Sequence, residues 1–343
     1  SSSHTVGPMC AAQAFASSLE ESGAVSRVGR IRVVLYGSLS LTGLGHGTDR
    51  AILAGLEGNV PATVDTDYLL SVRERCAHDG TIHVNGTNAI AYDDDGDMVF
   101  DRWKRLAPHP NGMRFQAFDA QGNIIDEQVW YSIGGGFIRR GRIDDALISN
   151  HEQTPASSQS PEDSGNDEAA EYGDGVPYPF VSCDGLIDLC RKHHLSIADV
   201  ANETARRSPQ EVRDRLTRIW NVMSHCIDAG CASATPTLPG GLDVPRRAPL
   251  MYRRLAANSD VLRRDRRISS ALESSDSAWV ALFAMSVSEE NAGGGRVVTA
   301  PTNGSAGIIP AVLEYYWHFV ESADDEGVRT FLLTAGAVGY LFK

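Results

Sequence analysis

The stretch Glu289-Glu290-Asn291-Ala292-Gly293-Gly294-Gly295-Arg296-Val297-Val298-Thr299-Ala300-Pro301-Thr302-Asn303-Gly304-Ser305-Ala306-Gly307-Ile308-Ile309-Pro310 organises the rest of the chain. An apolar, helix-like run from Trp279 to Met285 leads into it, and another from Ile308 to Phe319 leads out. Between them stand small and polar residues with little bulk. Glycines there let backbone approach a ligand and take positive φ at little steric cost. Pro301 disfavours the α region for Ala300, so the first helix is expected to have ended by then. Thr302 and Asn303 fall where a helix N-cap belongs, and the outward N–H groups of such an end suit a carboxylate or another anion. A tight connector between two packed helices is the plainer alternative. Thr, Asn, Arg and five glycines together are more than a connector requires.

Upstream of this stretch, from Tyr178 on, the pattern is helical. Leu186, Leu189, Leu195, Ile197 and Val200 mark the first helices, and Leu216, Ile219, Trp220 and Met223 give Val212 to Met223 one apolar face. Leu238-Pro239-Gly240-Gly241-Leu242 breaks the pattern, and Arg246-Arg247 follows. Two arginines in such a loop can hold a carboxylate, or stand as a surface pair. Asn150 to Val176 has a different composition, with seven acidic residues and no Lys or Arg. It cannot bury enough apolar surface to order itself and is expected to be a flexible, solvated linker.

The first third mixes helix and strand. After Ser1-Ser2-Ser3-His4-Thr5-Val6-Gly7-Pro8, Met9, Ala12, Phe15 and Leu19 give a helical apolar face, with Pro8 in the first turn and His4 on an exposed polar turn before it. Arg32 to Leu39 is expected to be a strand. Thr42-Gly43-Leu44-Gly45-His46-Gly47-Thr48-Asp49-Arg50 then turns into a helix capped by Thr48 or Asp49. Its glycine spacing is wrong for a dinucleotide fingerprint. Residues 81–132 are expected to be strands, with Asp93-Asp94-Asp95-Gly96-Asp97 a solvated turn that lacks the spacing and closing Glu of a calcium loop. Gln121-Gly122-Asn123 signals a hairpin, and Gly134-Gly135-Gly136 closes the β-rich part.

The chain is thus α+β, with an N-terminal α+β domain over residues 1–141, an acidic linker over 142–177 and a helical domain over 178–343. Its 343 residues suffice for two domains. The net charge of −13 argues against nucleic-acid binding. No run approaches the length that spans a bilayer. Cys10, Cys76, Cys183, Cys190, Cys226 and Cys231 form no C-x-x-C pair and are expected to be reduced thiols in a cytoplasmic protein. Cys183 and Cys190 could be drawn with His193 and His194 as a metal site, but they fit a helix of mixed burial better. The same holds for Cys226 and Cys231, which flank a helix end. Lys104, Lys192 and Lys343 are the three lysines, and none has the surroundings of a pyridoxal-phosphate Schiff base.

Ser1 to Met9, Gly45-His46-Gly47-Thr48-Asp49, His109-Pro110-Asn111-Gly112-Met113, Leu238 to Leu242 with Arg246-Arg247, and Ala300-Pro301-Thr302-Asn303-Gly304 occur in the order in which iron–sulfur-dependent bacterial L-serine dehydratases carry such motifs. The chain resembles that family over nearly its whole length outside the linker. The resemblance implies a β-type domain related to an allosteric serine-binding domain, then an α-type catalytic domain. It implies conversion of L-serine to pyruvate and ammonia, in serine catabolism and gluconeogenesis, with a [4Fe–4S] cluster as Lewis acid and no pyridoxal phosphate. By the same resemblance His46 and His109 are candidates for the base or for polarising substrate. Ser2, Ser3, His4, Thr5, Asn111, Thr302, Asn303 and Gly304 are candidates for holding its carboxylate and amino group. The six cysteines match none of the family's cluster motifs, whose cysteines are expected beyond Lys343. The chain is therefore read as a fragment that does not itself hold the cluster normally. A homodimer is a possible assembly. A non-catalytic serine sensor and a pyridoxal-phosphate dehydratase are the alternatives weighed. The sequence leaves threonine as a second substrate open.

Overall fold

The computed structural model describes residues 2–150, 176–239, 243–257, 276–300 and 302–342. Two compact units result. One is Ser1–Pro155 with Thr299–Ser305, and the other is Ala156–Val298 with Ala306–Lys343. The architecture is α+β, with the strands in the first unit and helices throughout the second.

In the first unit, a π-helical turn over Ser2–Val6 runs directly into α1 (Gly7–Glu21). The expected apolar face of α1 is buried: Met9, Ala12, Phe15 and Leu19 are all at most 2% exposed. Beside it lies α3 (Thr48–Leu56), which carries Ile52, Leu53 and Leu56 inward. The two helices approach so closely that a Cβ on Gly55 would fall on the Met9 carbonyl. Under α1 lies β1 (Arg30–Tyr36), whose residues alternate between two cores. Ile31, Val33 and Leu35 join the α1 side, while Val34 and Tyr36 join Leu106, Val129 and Tyr131 on the other.

The main sheet runs β2 (Thr81–Val84), β3 (Asn88–Ala91), β1, β6 (Gly112–Phe118), β7 (Ile124–Gly134), β8 (Phe137–Arg140), and β4 (Met98–Asp101) also pairs with β1. β1 pairs in parallel with β3 and β4 and antiparallel with β6. The expected hairpin at Gln121-Gly122-Asn123 joins β6 to β7. A second, two-stranded sheet pairs β5 (Lys104–Leu106) with β9 (Leu147–Ser149). That pairing carries ordered structure past residue 141. Of the acidic linker, residues 151–175 lie outside the described residues.

Several local expectations are corrected. The first strand ends at Tyr36, because Gly37 takes φ 55° and starts a short helix, α2 (Gly37–Thr42), that buries Leu39 and Ser40. The acidic cluster is not a solvated turn. Asp94–Asp97 forms a helical turn, α5, in which Asp97 is 2% exposed and ion-paired with Arg30, while Asp94 receives Arg73 at 2.8 Å and the Tyr92 hydroxyl at 2.7 Å. Gly134–Gly136 does not close the β-rich part but turns β7 into β8.

In the second unit the long helix α8 (Pro209–Ala232) begins with a capping box between Ser208 and Glu211 and Pro209 in its first turn. Before it come α6 (Cys183–His193) and α7 (Ile197–Thr204). After it come α9 (Ala248–Ala257), α10 (Asp276–Gly293), α11 (Ile308–Phe319) and α12 (Asp325–Tyr340). Cys226 and Cys231 do not flank the end of α8 but lie buried within it, in one core with Trp279, Leu282, Phe283 and Ala311. α8 and α10 touch closely where a Cβ on Gly230 would stand 2.6 Å from the Ser286 carbonyl oxygen. The Arg246-Arg247 pair does hold carboxylates, but the protein's own. Arg246 meets Glu290 at 2.7 Å, both largely buried, and Glu289 accepts the backbone N–H groups of Arg247 and Ala248 at the start of α9. Gly240 to Leu242 lie outside the described residues.

Candidate active site

The first unit gathers three of the sequence motifs around one serine. His4 sits in the π-helical turn, a geometry found mostly at functional positions. It is part-buried, not on an exposed turn, and both ring nitrogens are engaged. Nδ1 is hydrogen-bonded to the Ser3 hydroxyl at 2.9 Å, and Nε2 to the Ser38 hydroxyl at 3.0 Å. The backbone N–H of Ser38 donates to the Pro110 carbonyl at 2.9 Å. Ser38 thus ties the His4 turn to the loop that carries His109 and Asn111. Ser38 was not among the residues singled out from the sequence, which places it inside an expected strand.

The His46 ring lies 5.0 Å from the His4 ring, tilted by 54°. His46 closes a single 3-10 turn, and Gly47 follows at φ 65°, a conformation glycine adopts without strain. The turn is fastened twice to the N-terminal segment. The Thr5 hydroxyl donates to the His46 carbonyl at 2.9 Å, and the Thr48 hydroxyl donates to the His4 carbonyl. Neither Thr48 nor Asp49 caps α3, whose N-cap is Gly47. Thr48 is turned toward His4, and buried Asp49 accepts from Arg73 at 2.5 Å. No hydrogen-bond partner of the His46 ring is found among the described residues.

On the third loop, the Asn111 backbone N–H donates to His109 Nδ1 at 3.1 Å. A neutral His109 therefore carries its proton on Nε2. Asn111 is paired with Ser132 on β7. The Ser132 N–H donates to the Asn111 carbonyl at 3.0 Å, and Asn111 Nδ2 donates to the Ser132 carbonyl at 3.3 Å. Ser132 is fully buried, its hydroxyl lacks a partner among the described residues, and a Cβ on Gly7 would fall on that oxygen. Ser132, like Ser38, carries no sequence signal of its own.

Electrostatics favour neutral imidazoles. Burial lowers the pKa of His4, and the neighbouring His46 lowers it further. Partial burial lowers that of His46. Burial, then Arg139, lowers that of His109. Each group is therefore held toward its neutral form. Protonation of His4 is disfavoured once His46 is charged.

Thr299–Ser305 belongs with this first unit, although it lies between helices of the second. The segment thus brings Thr302, Asn303 and Gly304 into the unit that holds the three histidines. Thr302 and Asn303 do not cap α11, whose N-cap is Gly307. Instead Asn303 Oδ1 accepts the Ala300 N–H at 3.0 Å and begins a 3-10 turn over Asn303–Ser305. Ser2 is buried, and Ser3 and Thr5 are half-buried.

Among the described residues no three His, Cys, Asp or Glu side chains converge on a point where a metal could sit. The cysteines are dispersed. Cys10 is on α1, Cys76 is buried on α4 (Thr66–Asp79), Cys183 and Cys190 are on α6, and Cys226 and Cys231 are buried in α8. Burial raises the thiol pKa of both Cys226 and Cys231 to about 12, away from the thiolate that binds metal. These residues do not fit a cluster, and no chemical step is derived through one.

Two α+β and α-helical units, with an imidazole-rich site in the first, define the class of protein. Residues 1–142 match the family model described as serine dehydratase beta chain, and residues 192–343 match serine dehydratase alpha chain. The chain is 44% identical over 345 residues to an L-serine dehydratase of Streptomyces coelicolor, covering all of this chain and 69% of that protein. It is 41% identical over 349 residues to L-serine dehydratase 1 of Escherichia coli, again covering 100% and 69%. Against an L-serine dehydratase of Helicobacter pylori it is 34% identical over 344 residues, with the same coverage. The chain belongs to the serine dehydratase family.

Proposed function

We propose that this protein is an L-serine ammonia-lyase, which converts L-serine to pyruvate and ammonia. One observation carries the reading: Ser38 joins the His4 turn, itself in ring contact with His46, to the His109–Asn111 loop. Three motifs far apart in sequence thereby form one polar site of neutral imidazoles.

The reaction removes the α-proton of serine and the β-hydroxyl. His46 is the better base. Its pKa is lowered, so it is neutral at physiological pH, and no partner occupies its ring nitrogens among the described residues. A base of this kind contributes about 10²- to 10⁴-fold. His109, with Nδ1 committed to the Asn111 N–H, offers an Nε2–H donor and suits polarising a substrate oxygen. His4 has both nitrogens committed and acts by holding its neighbours. Thr5, Asn111, Thr302, Asn303 and Gly304 would supply contacts to the carboxylate and amino group. Loss of proton and hydroxide leaves aminoacrylate, which takes up water and releases ammonia to give pyruvate.

Hydroxide is a poor leaving group, and a Lewis acid is suited to loosening it. The family resemblance implies a [4Fe–4S] cluster, which would supply such Lewis acidity; the cysteines of the described residues would not hold it. A cytoplasmic setting belongs to the same reading, supported by six free thiols, as does a place in serine catabolism and gluconeogenesis.

The test is pyruvate formation from L-serine by the product of the full open reading frame, reconstituted anaerobically with iron and sulfide, beside a chelator-treated sample. Chelator-sensitive pyruvate is expected. No pyruvate from the product of the full open reading frame would sink the proposal.

A further inference from the structure

Ser38 stands at the junction of the site, and its two polar groups face in different directions. Its hydroxyl meets His4 Nε2 at 3.0 Å, and its N–H donates to the Pro110 carbonyl at 2.9 Å. The second bond is enforced by the backbone. Gly37 takes φ 55°, and a Cβ there would fall on the same Pro110 carbonyl oxygen. The chain thus leaves β1, turns sharply at Gly37 and presses Ser38 between the two histidine loops. α2 is held from its other side as well. The neighbouring Ser40 is buried, and its hydroxyl donates to the Asp101 carbonyl at 2.7 Å.

His4 is constrained as a result. A neutral imidazole has one donor and one acceptor nitrogen, and the partner of one nitrogen fixes the role of the other. The side-chain partners of His4 are both hydroxyls, Ser3 and Ser38, each able to donate or accept, and the Ser38 backbone also bonds to the ring. Ser3 is the immediate chain neighbour of His4 and moves with it. Ser38 is contributed by another element, so it is the group that can impose a direction on the ring from outside. The ring so fixed lies 5.0 Å from His46, and its carbonyl accepts from Thr48 just after the His46 turn.

We infer that Ser38 is a positioning residue, whose hydroxyl fixes the orientation of the His4 ring while its backbone N–H anchors the His109–Pro110–Asn111 loop, so that the His4 turn and the His109 loop are held together at the site. The inference rests on the reading of this site as that of an L-serine ammonia-lyase. Ser38 itself touches no reacting atom in this scheme. Removing the hydroxyl leaves the amide anchor in place and takes from the imidazole its side-chain partner on this element.

The experiment compares the wild type with Ser38→Ala and Ser38→Thr in two measurements. One records the ring ¹⁵N shifts of His4 in protein labelled at histidine, assigned with a His4→Gln variant. The other records kcat and KM for L-serine. In Ser38→Ala the His4 Nε2 resonance is expected to shift as the nitrogen loses its hydroxyl partner, with the Nδ1 resonance moving less. kcat is expected to fall about tenfold, the scale of one hydrogen bond, with KM changed by less than about twofold. Ser38→Thr keeps the hydroxyl and is expected to restore both. Unchanged His4 shifts in Ser38→Ala overturn the inference whatever the kinetics show. Altered shifts with an unaltered kcat overturn the claim that the arrangement serves turnover. A wild type without pyruvate formation sinks the proposed function instead, and the nitrogen spectra then decide alone whether Ser38 fixes His4.

Discussion

At the scale of single residues, the site distinguishes three histidines that look alike in sequence. His46 has lowered basicity and no ring partner among the described residues, His109 has one nitrogen committed, and His4 has two. His46→Ala is accordingly expected to lower kcat by at least about 100-fold, the scale of a lost general base. His109→Gln, which keeps a side-chain donor, is expected to lose less than His109→Ala. Steady-state pyruvate kinetics separate the two, and wild-type turnover in His46→Ala would remove His46 from the mechanism. The pH dependence follows from the same shifts. The working form of His46 is neutral and its pKa lies below the ordinary value of about 6.5. Activity is therefore expected to be full above that value and to fall as pH drops through the lowered pKa. Stability runs in the same direction. The unfolded chain takes up protons first as the pH falls below about 6.5, so folding is progressively disfavoured down to the folded-state pKa values. A kcat/KM profile beside thermal unfolding over the same range separates the two, and an acid limb centred above pH 7 would count against His46. His4, His46, His109 and Asn111 were legible because they lie in ordered motifs. Ser38 and the bond of Thr48 to His4 were not, because they appear only when partners 34 and 44 residues away are brought together.

At the scale of elements, the helices with a clear apolar period were legible. α1 and α8 stand where their apolar faces predicted, and α10 and α11 where their apolar runs did. Short elements were set instead by long-range contact. α2 replaces the end of a strand because Gly37 turns the backbone, and α5 orders an acidic run because Arg30 and Arg73 reach it. Gly37→Ala combines an unfavourable φ with a Cβ directed at the Pro110 carbonyl. It is expected to lower stability by about 1–3 kcal/mol and to reduce turnover by disturbing the His109 loop. Thermal unfolding and kcat measure the two effects. The organising stretch was legible as two helices and a break, but not in its ends. Glu289 and Glu290, read as the start of the break, lie within α10 and hold the Arg246 segment. Glu290→Ala leaves the Arg246 guanidinium, 8% exposed, without this carboxylate. The expected cost is about 3–5 kcal/mol, read as a lower urea midpoint, and a midpoint within error of the wild type would show that the pair is not structural.

At the scale of the whole molecule, composition and motif order gave an α+β unit followed by a helical one. What they could not give is that Thr299–Ser305 groups with the first unit, since nothing local in seven residues points to a partner so distant in sequence. This exchange leads to a last prediction. Among the described residues, the apolar clusters of the first unit draw on residues from Met9 to Ile138, and none of their members comes from beyond residue 150. A polypeptide of residues 1–150 therefore keeps the apolar core that the described residues form, and a chain of about that length buries enough surface to fold. It is expected to unfold cooperatively on heating, with His4, His46, His109 and Ser38 placed as in the longer chain. It lacks Thr302, Asn303 and Gly304, so it is expected to form no pyruvate and to bind L-serine more weakly than the longer chain. Calorimetry of both polypeptides with and without L-serine tests the point. Equal stabilisation by L-serine in the two would show that the 299–305 segment contributes nothing to binding, whereas non-cooperative unfolding of residues 1–150 would show that the segment, or more of the second half, is required for the first unit to fold.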